Sequence, residues 1–327
     1  MSRRQSAWNG RVLAFTLGIA LALPCFAQTF PNKPIRIVVP FAAGGPTDTV
    51  SRALAQRLAE PLGQSVIVEN RPGAATIIGA EAVAKAAPDG YTLLFTADAT
   101  LAVNPLLYSK LPYSAADFTP VTIIAYTPEY LMVTPDVPAN TLQEFIAYAK
   151  ANAGKLNYGS FGMGTSPHIE AEGFKAATGI NIVHVPFKGA AEVIPAMVSG
   201  QIQVVFTGAT QALPHIRAGK IKVIAVQSRE RTALLPNVPT FLEEGVPGFD
   251  SRVWFGMLAP AKTPPEIVRR LASEMGKVTA SQEFRDKYIN ALSLEPSPPG
   301  PEYFATVIER DKEKYARFVK AANVKLD

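Results

Sequence analysis

Two short stretches hold polar groups placed to do chemistry: Phe41-Ala42-Ala43-Gly44-Gly45-Pro46-Thr47-Asp48, and Ser160-Phe161-Gly162-Met163-Gly164-Thr165-Ser166-Pro167-His168. In each, glycines let backbone N–H groups approach a ligand, and a helix is expected to begin at once, adding the positive end of its dipole at the same spot. Such a spot favours an anion. Neither stretch reads G-x-G-x-x-G and neither contains Gly-Lys-Ser/Thr, so the dinucleotide fingerprint and the P-loop do not apply. The ligand expected here is smaller than a nucleotide. The plainer alternatives are a tight turn at Gly44-Gly45 and a flexible Ser/Gly linker after Ser160.

Catalytic readings fare worse. A hydrolase serine belongs in G-x-S-x-G, and Tyr158-Gly159-Ser160-Phe161-Gly162 has tyrosine where the first glycine should stand. The histidines, His168, His184 and His215, fall on different expected elements, and no H-E-x-x-H pair offers a zinc site. His184 reads as a hydrogen-bonded histidine at a strand end, while His168 is open to either a ligand or a packing role. What remains is hydroxyls and amides without a nucleophile, so no catalytic residue, metal or cofactor is expected. Hydrogen bonds to a charged group at ~1.5–3 kcal/mol each, with ~0.3–1 kcal/mol from each helix end, bring micromolar capture of a carboxylate within reach of four or five contacts.

The elements that must position these loops alternate between strand and helix. Ile35 to Val39 is a β-branched run suited to a sheet buried on both faces. A helix capped by Thr47 or Asp48, apolar at Val50, Leu54 and Leu58, then runs to Gly63. Strands follow at 65–69 and 91–96, with a helix at 76–87 between them. The apolar runs 121–125 and 130–133, separated by Thr127-Pro128, mark a crossing into a second series. That series has helices from Thr141, at 169–178 and at 191–199, and strands at 156–158, 182–185, 204–206 and 223–226. Thr240-Phe241-Leu242-Glu243 reads as a further capping box. The strand 253–258 is expected to return to the first series, and the helical remainder reads as a cover layer without chemistry. Alternation with short gaps predicts an α/β fold of two lobes, each a mostly parallel sheet flanked by helices, with two crossing strands as hinge. The first lobe is expected at 28–128 and 253–327, the second at 129–252. Ligands of open parallel sheets sit beyond the carboxyl ends of the strands, which places the cleft among loops 41–48, 70–76, 97–104, 160–168, 187–190 and 207–211.

A chain of 327 residues with 48% hydrophobic and 18% charged content has room for two such lobes. Arg3, Arg4 and Arg11 precede an apolar segment from Val12 to Leu23, and Cys25-Phe26-Ala27 puts small residues where a signal peptidase reads, so residues 1–27 are read as a cleaved secretory signal. Pro24 argues against lipid attachment at Cys25. Three arginines leave with that segment and no acid does, so the formal charge falls from +5 to +2. Basic residues form no cluster interleaved with aromatics, which excludes nucleic acid as a partner. The sole cysteine leaves too, and with it disulfides and thiolate chemistry.

The residues then converge on a family. PIRIVVPFAAGGPTDTVSRALA at 34–55, VIVENRPGAATIIGAEAVAKAAPDGYTLLF at 66–95, LAVNPLLYSKLPY at 101–113, GKLNYGSFGMGTSPH at 154–168, HVPFKGAAEVIPAMVSGQI at 184–202, ALPHIRAGKIKVIAV at 212–226 and WFGMLAPAKTP at 254–264 resemble, in order, the tripartite tricarboxylate transporter substrate-binding proteins, the Bug family. The resemblance implies a hinge-closing, monomeric periplasmic receptor that captures a small carboxylate and delivers it to a two-component membrane permease. It implies ligand contacts from Phe41, Gly44, Gly45, Pro46, Thr47 and Asp48 in the first lobe and from Ser160, Gly162, Thr165, Ser166 and His168 in the second. Lys188 either lines the cleft or braces it. Two departures bear on the ligand. Thr207-Gly208 stands where relatives often carry Asp-Asn, removing a partner for an amino group; Asp98, beside Ala97 in the third loop, stands where small neutral residues are usual and would repel a carboxylate unless aimed away. A dicarboxylate or aromatic carboxylate is expected, with Phe41, Phe161 and Tyr126 flanking an apolar spacer. A sensor feeding a signalling kinase and a secreted hydrolase are the alternative functions.

Overall fold

The computed structural model describes residues 30–249 and 252–325; the expected signal at 1–27 lies outside them. Strands are β1 (Ile35–Val39), β2 (Val66–Asn70), β3 (Thr92–Ala97), β4 (Phe118–Val133), β5 (Asn157–Ser160), β6 (Val183–Pro186), β7 (Val204–Thr207), β8 (Lys222–Gln227), β9 (Arg252–Pro260) and β10 (Glu295–Pro296). Helices are α1 (Pro46–Leu62), α2 (Ile77–Ala84), α3 (Asn104–Leu107), α4 (Leu142–Ala151), α5 (Ser166–Thr178), α6 (Ala190–Val198), α7 (Leu213–Arg217), α8 (Pro265–Ala280), α9 (Gln282–Phe284) and α10 (Pro301–Ala322). The fold is α/β, as the alternation predicts. β1 pairs in parallel with β2 and β3, and β5 pairs in parallel with β6 and β7. The two parallel sets are joined through antiparallel β9 and β4, in the order β2-β1-β3-β9-β4-β7-β5-β6.

The crossing is not a break. β4 is one strand of 16 residues, paired with β9 from Phe118 to Pro128 and with β7 and β8 from Glu129 onward. The separation that Thr127-Pro128 predicts is therefore absent. Proline is tolerated because Pro128 sits at the end of the β9 ladder, where the partner changes and a missing donor disrupts little. Sheet faces follow the two-residue period: Ile37 and Val39 pack with α1 and α8, whereas Val38 and Leu94 face α2 and Phe304. In the second set Leu131 and Phe206 pack with α4 and α5, and Met132 and Val205 face α6.

Local corrections have local causes. α1 starts at Pro46 with Gly45 as N-cap and no side-chain cap, so neither Thr47 nor Asp48 caps it; proline's fixed φ and absent N–H suit the first helical position. Gly63, at φ 63°, closes that helix onto Glu60 and Ala59. At Thr240 the capping box forms, with Thr240 N–H donating to Glu243 and Glu243 N–H to Thr240 Oγ1, but Gly245, Pro247 and Gly248 turn the chain before a helix develops. The last helix is not a plain cover. Phe304, Val307 and Ile308 of α10 pack with Trp254 and Tyr126, while Tyr315 and Phe318 join the core of Phe174 and Phe249. α10 therefore fastens to both parallel sets.

Candidate functional site

β1 delivers the chain at Val39 into a turn whose Ala42, Ala43 and Gly44 are exposed. Gly44 holds φ at 87°, a left-handed conformation that glycine adopts without strain. Its N–H donates to Asp48 Oδ2 at 2.9 Å. The same carboxylate accepts from Asn70 Nδ2 at 2.9 Å and from Arg52 Nε at 3.0 and 3.1 Å, and Asn70 Nδ2 also donates to the Phe41 carbonyl at 3.1 Å. Asp48 is 4% exposed. Burial alone would raise its pKa, but the Arg52, Gly44 and Asn70 hydrogen bonds outweigh it and hold the carboxyl below its ordinary value. Asp48 thus shapes the turn, and Thr47 is buried beside it. Backbone from Ala42 to Gly45, ahead of a 17-residue helix, is what this loop presents.

The second loop is built in the same way from different residues. Gly162, at φ 113°, and Gly164, at φ 78°, turn the chain between β5 and α5, with Pro167 in the helix's first turn. Ser160 Oγ accepts from Gly162 N–H at 3.1 Å and lies 2.6 Å from His184 Nε2. Thr165 Oγ1 donates to the Gly162 carbonyl at 2.8 Å, and Gly164 N–H donates to His168 Nδ1 at 3.1 Å. His168 stacks on His184 with ring centroids 4.3 Å apart, and His184 on Tyr158 at 4.8 Å. Burial, with the neighbouring imidazole, lowers the His184 pKa to about 4; burial lowers that of His168 too. Both rings are therefore neutral at physiological pH.

In this structure these side chains are turned toward the protein. Ser160, Ser166 and His168 are buried; both serine hydroxyls and the His168 Nδ1 are hydrogen-bonded within the protein. The Ser160 and His184 pair is no nucleophile either: Ser160 is fully enclosed, and among the described residues no acid is hydrogen-bonded to the other nitrogen of His184.

Asp98, in the loop after β3, ties the start of α5 to the first parallel set. It follows β3, whose parallel register beside β1 sends both loops out of the same sheet edge. Asp98 Oδ1 accepts from Ala99 N–H and from Ser166 Oγ, both at 2.8 Å, and Oδ2 accepts from the Tyr315 hydroxyl. The carboxylate is completely buried, with both oxygens hydrogen-bonded within the protein. Ser166 begins α5, so the contact ties the start of that helix to the loop that follows β3.

The other expected residues divide. Ala97 packs in the first core, and Thr207 is 4% exposed and paired with Tyr130. Lys188 is exposed, its backbone N–H donating to Glu192. Tyr126 cannot flank a spacer: it is fully buried, with its hydroxyl 3.0 Å from that of Tyr303. Phe41 and Phe161 are half-buried at the loop bases. Sequence reasoning passes over Arg52 and Tyr315, whereas His184 is the hydrogen-bonded histidine that it expects on a strand. Arg52 lies one helical turn beyond Asp48, which is a usable signal; Tyr315, distant in sequence, carries none. A groove of about 460 Å³ lined by Arg229, Arg310, Glu313, Lys314, Ala316 and Arg317 lies along α10, apart from both glycine loops.

Known proteins share this chain's sequence and fold along most of its length. A family model described as "Tripartite tricarboxylate transporter family receptor" matches residues 50–324. BugT of Bordetella pertussis is 33% identical over 314 residues, spanning 95% of this chain and 96% of that protein. Rpa4515 of R. palustris, solved with adipate, is similar with a TM-score of 0.82 at 34% identity, over 90% of this chain and 99% of that one. MatC from Rhodopseudomonas palustris, solved with bound malate, gives 0.79 at 32% identity over 89% and 100%.

Proposed function

This chain belongs to the tripartite tricarboxylate transporter receptor family, and we propose that it captures a small organic carboxylate in the periplasm and passes it unaltered to membrane permease subunits. The observation that carries this reading is the pair of glycine turns, each ahead of a helix, the second tied to the loop after β3 through Ser166 and Asp98. Carboxylate oxygens are held by the backbone amide of Gly45 and by those of Gly44, Gly162 and Thr165, which exchange Asp48 Oδ2, Ser160 Oγ and the Gly162 carbonyl for the ligand as it binds, with Phe41, Pro46, Phe161 and Lys188 around them. Buried serine and histidine leave the site without a nucleophile, which supports capture rather than turnover.

The ligand is an acid without an amino group. Both Asp98 oxygens are taken, and buried Thr207 brings no charge, so a ligand ammonium would find no partner at either position. Adipate and malate in the two solved relatives are dicarboxylates, and a dicarboxylate or aromatic carboxylate fits two facing anion-binding turns. The receptor works as a monomer after cleavage near Ala27. Its lobes are 28–128 with 253–327 and 129–252, and α10 is shared between them. No helix among the described residues is long and apolar enough to cross a membrane.

A panel of dicarboxylates and aromatic acids in a thermal-shift assay tests the reading, because a ligand at 100 times its dissociation constant stabilises by ~2.7 kcal/mol. Stabilisation by at least one acid, recovered intact after incubation, is the expected result. Stabilisation by none, or release of a product, overturns it.

A further inference from the structure

Behind the cleft, side chains from five elements meet in a buried polar cluster that a binding pocket made of backbone amides does not require. Asp98 comes from the end of β3, Glu129 from β4, Glu170 from α5, Gln227 from β8, and Asp311, Lys314 and Tyr315 from α10. None of them is more than 5% exposed. The Tyr315 hydroxyl has one hydrogen, yet it lies 2.5 Å from Asp98 Oδ2 and 3.1 Å from Glu170 Oε1. Once that hydrogen is given to Asp98, two oxygens face each other at 3.1 Å, which is a bond only if a carboxyl supplies a second hydrogen.

Counting charge gives the same answer. Asp98, Glu129, Glu170 and Asp311 are four carboxyls, and the cations reaching them are Lys314, 3.6 Å from Asp311, and Arg310, 3.3 Å from the same residue. Asp311 also accepts from Trp254 Nε1 at 3.1 Å. Lys314 also acts on Asp98 and Glu129, so the four carboxyls outnumber the cations they share. Glu129 Oε2 is buried without a hydrogen bond, opposite Gln227, whose amide atoms are buried without one as well. An ionised carboxylate in that setting is very costly. Burial, then Glu170 and Asp98, push the Glu129 pKa well up, and burial raises that of Asp98.

We infer that Tyr315 and Asp98 are positioning residues of the ligand site, fastening the amide-bearing start of α5 to the first lobe through Ser166, and that the fastening depends on a proton retained among Asp98, Glu129 and Glu170. This deepens the carboxylate-receptor reading and rests on it for the link to affinity. The proton belongs to the cluster as a whole. When it leaves at high pH, the Tyr315 hydroxyl cannot satisfy both carboxylates, α5 loosens from Asp98, and the Gly162 to Thr165 amides lose their placement.

The test uses the whole mature chain and the variants Tyr315→Phe and Glu170→Gln. Hydrogen exchange of amides 162–169 is followed without ligand, and adipate and malate binding by calorimetry, from about pH 6 to about pH 9. Tyr315→Phe is expected to speed exchange in that segment, and to weaken whichever acid binds, on the order of 10-fold. Wild-type exchange, corrected for its intrinsic rate, is expected to rise with pH. Glu170→Gln, which carries a permanent donor to the phenol oxygen, is expected to flatten that rise. Unchanged exchange in Tyr315→Phe, or a wild-type pH slope in Glu170→Gln, overturns the inference. Should wild type bind neither acid, the ligand assignment fails while the exchange measurements still decide the fastening.

Discussion

Replacing Asp48 by asparagine gives a sharp test of how the first turn is held. The Asp48 carboxylate is nearly enclosed and receives hydrogen bonds on both oxygens: Oδ1 from Asn70 and Arg52, Oδ2 from Gly44 and Arg52. Whichever way an amide is turned, its NH2 faces a donor, so no flip rescues the change. Hydrogen bonds to a charged group are worth ~1.5–3 kcal/mol each and are not additive, which sets the expected loss at about 2–4 kcal/mol. In a thermal melt that is a fall of roughly 4–12 °C. The sign with pH is fixed too. Because the folded pKa lies below the ordinary 3.8, the carboxylate's contribution is present above that value and lost as pH falls through the folded one. The gap between wild type and Asp48→Asn should therefore close in acid. Arg52→Met is the control: the side chain is 51% exposed, Gly44 and Asn70 still reach the carboxylate, and the cost should stay below about 1 kcal/mol. A variant within about 0.5 kcal/mol of wild type at neutral pH, or a gap that persists undiminished in acid, refutes this account of the turn.

Other perturbations probe the second loop and the helix packing. Protonating His184 should destabilise the protein as pH falls from 6.5 to about 4, because its depressed pKa favours the neutral ring; His168 acts in the same direction, and the acid limb of a Tm-against-pH curve should shrink in His184→Gln. Gly162→Ala forces an L side chain into φ 113° and should cost about 1–3 kcal/mol while weakening carboxylate binding, read by denaturant melts and calorimetry; an unchanged affinity would remove Gly162 from the site. Gly173→Ala puts a methyl 2.7 Å from Phe318 Cγ, so overpacking between α5 and α10 should cost about 1–3 kcal/mol, and an unaffected Tm would mean that α10 moves aside freely.

The α/β class, the family and both glycine turns are legible in the chain because each rests on local signals: β-branched runs, glycine at helix ends, and proline where a first turn accepts it. Thr127-Pro128 misleads for a related reason. Local punctuation suggests a stop, and only the change of partner from β9 to β7 and β8 shows why proline is harmless there. The roles of the polar side chains are harder to read. Ser160, Ser166, His168 and Asp98 mark the right places, but whether a hydroxyl or carboxylate faces a ligand depends on partners far along the chain. Asp98 is answered by Tyr315, 217 residues away, and Ser160 by His184 on the neighbouring strand. No spacing rule encodes such pairings.

The strand common to both sheets limits how this architecture can be recombined. It completes one sheet as far as Pro128 and the other from Glu129 onward, so a chimera joined within it would leave each half with a borrowed edge. Swapping specificity between relatives therefore has to be done by grafting loops onto an intact backbone strand, not by exchanging halves as cassettes.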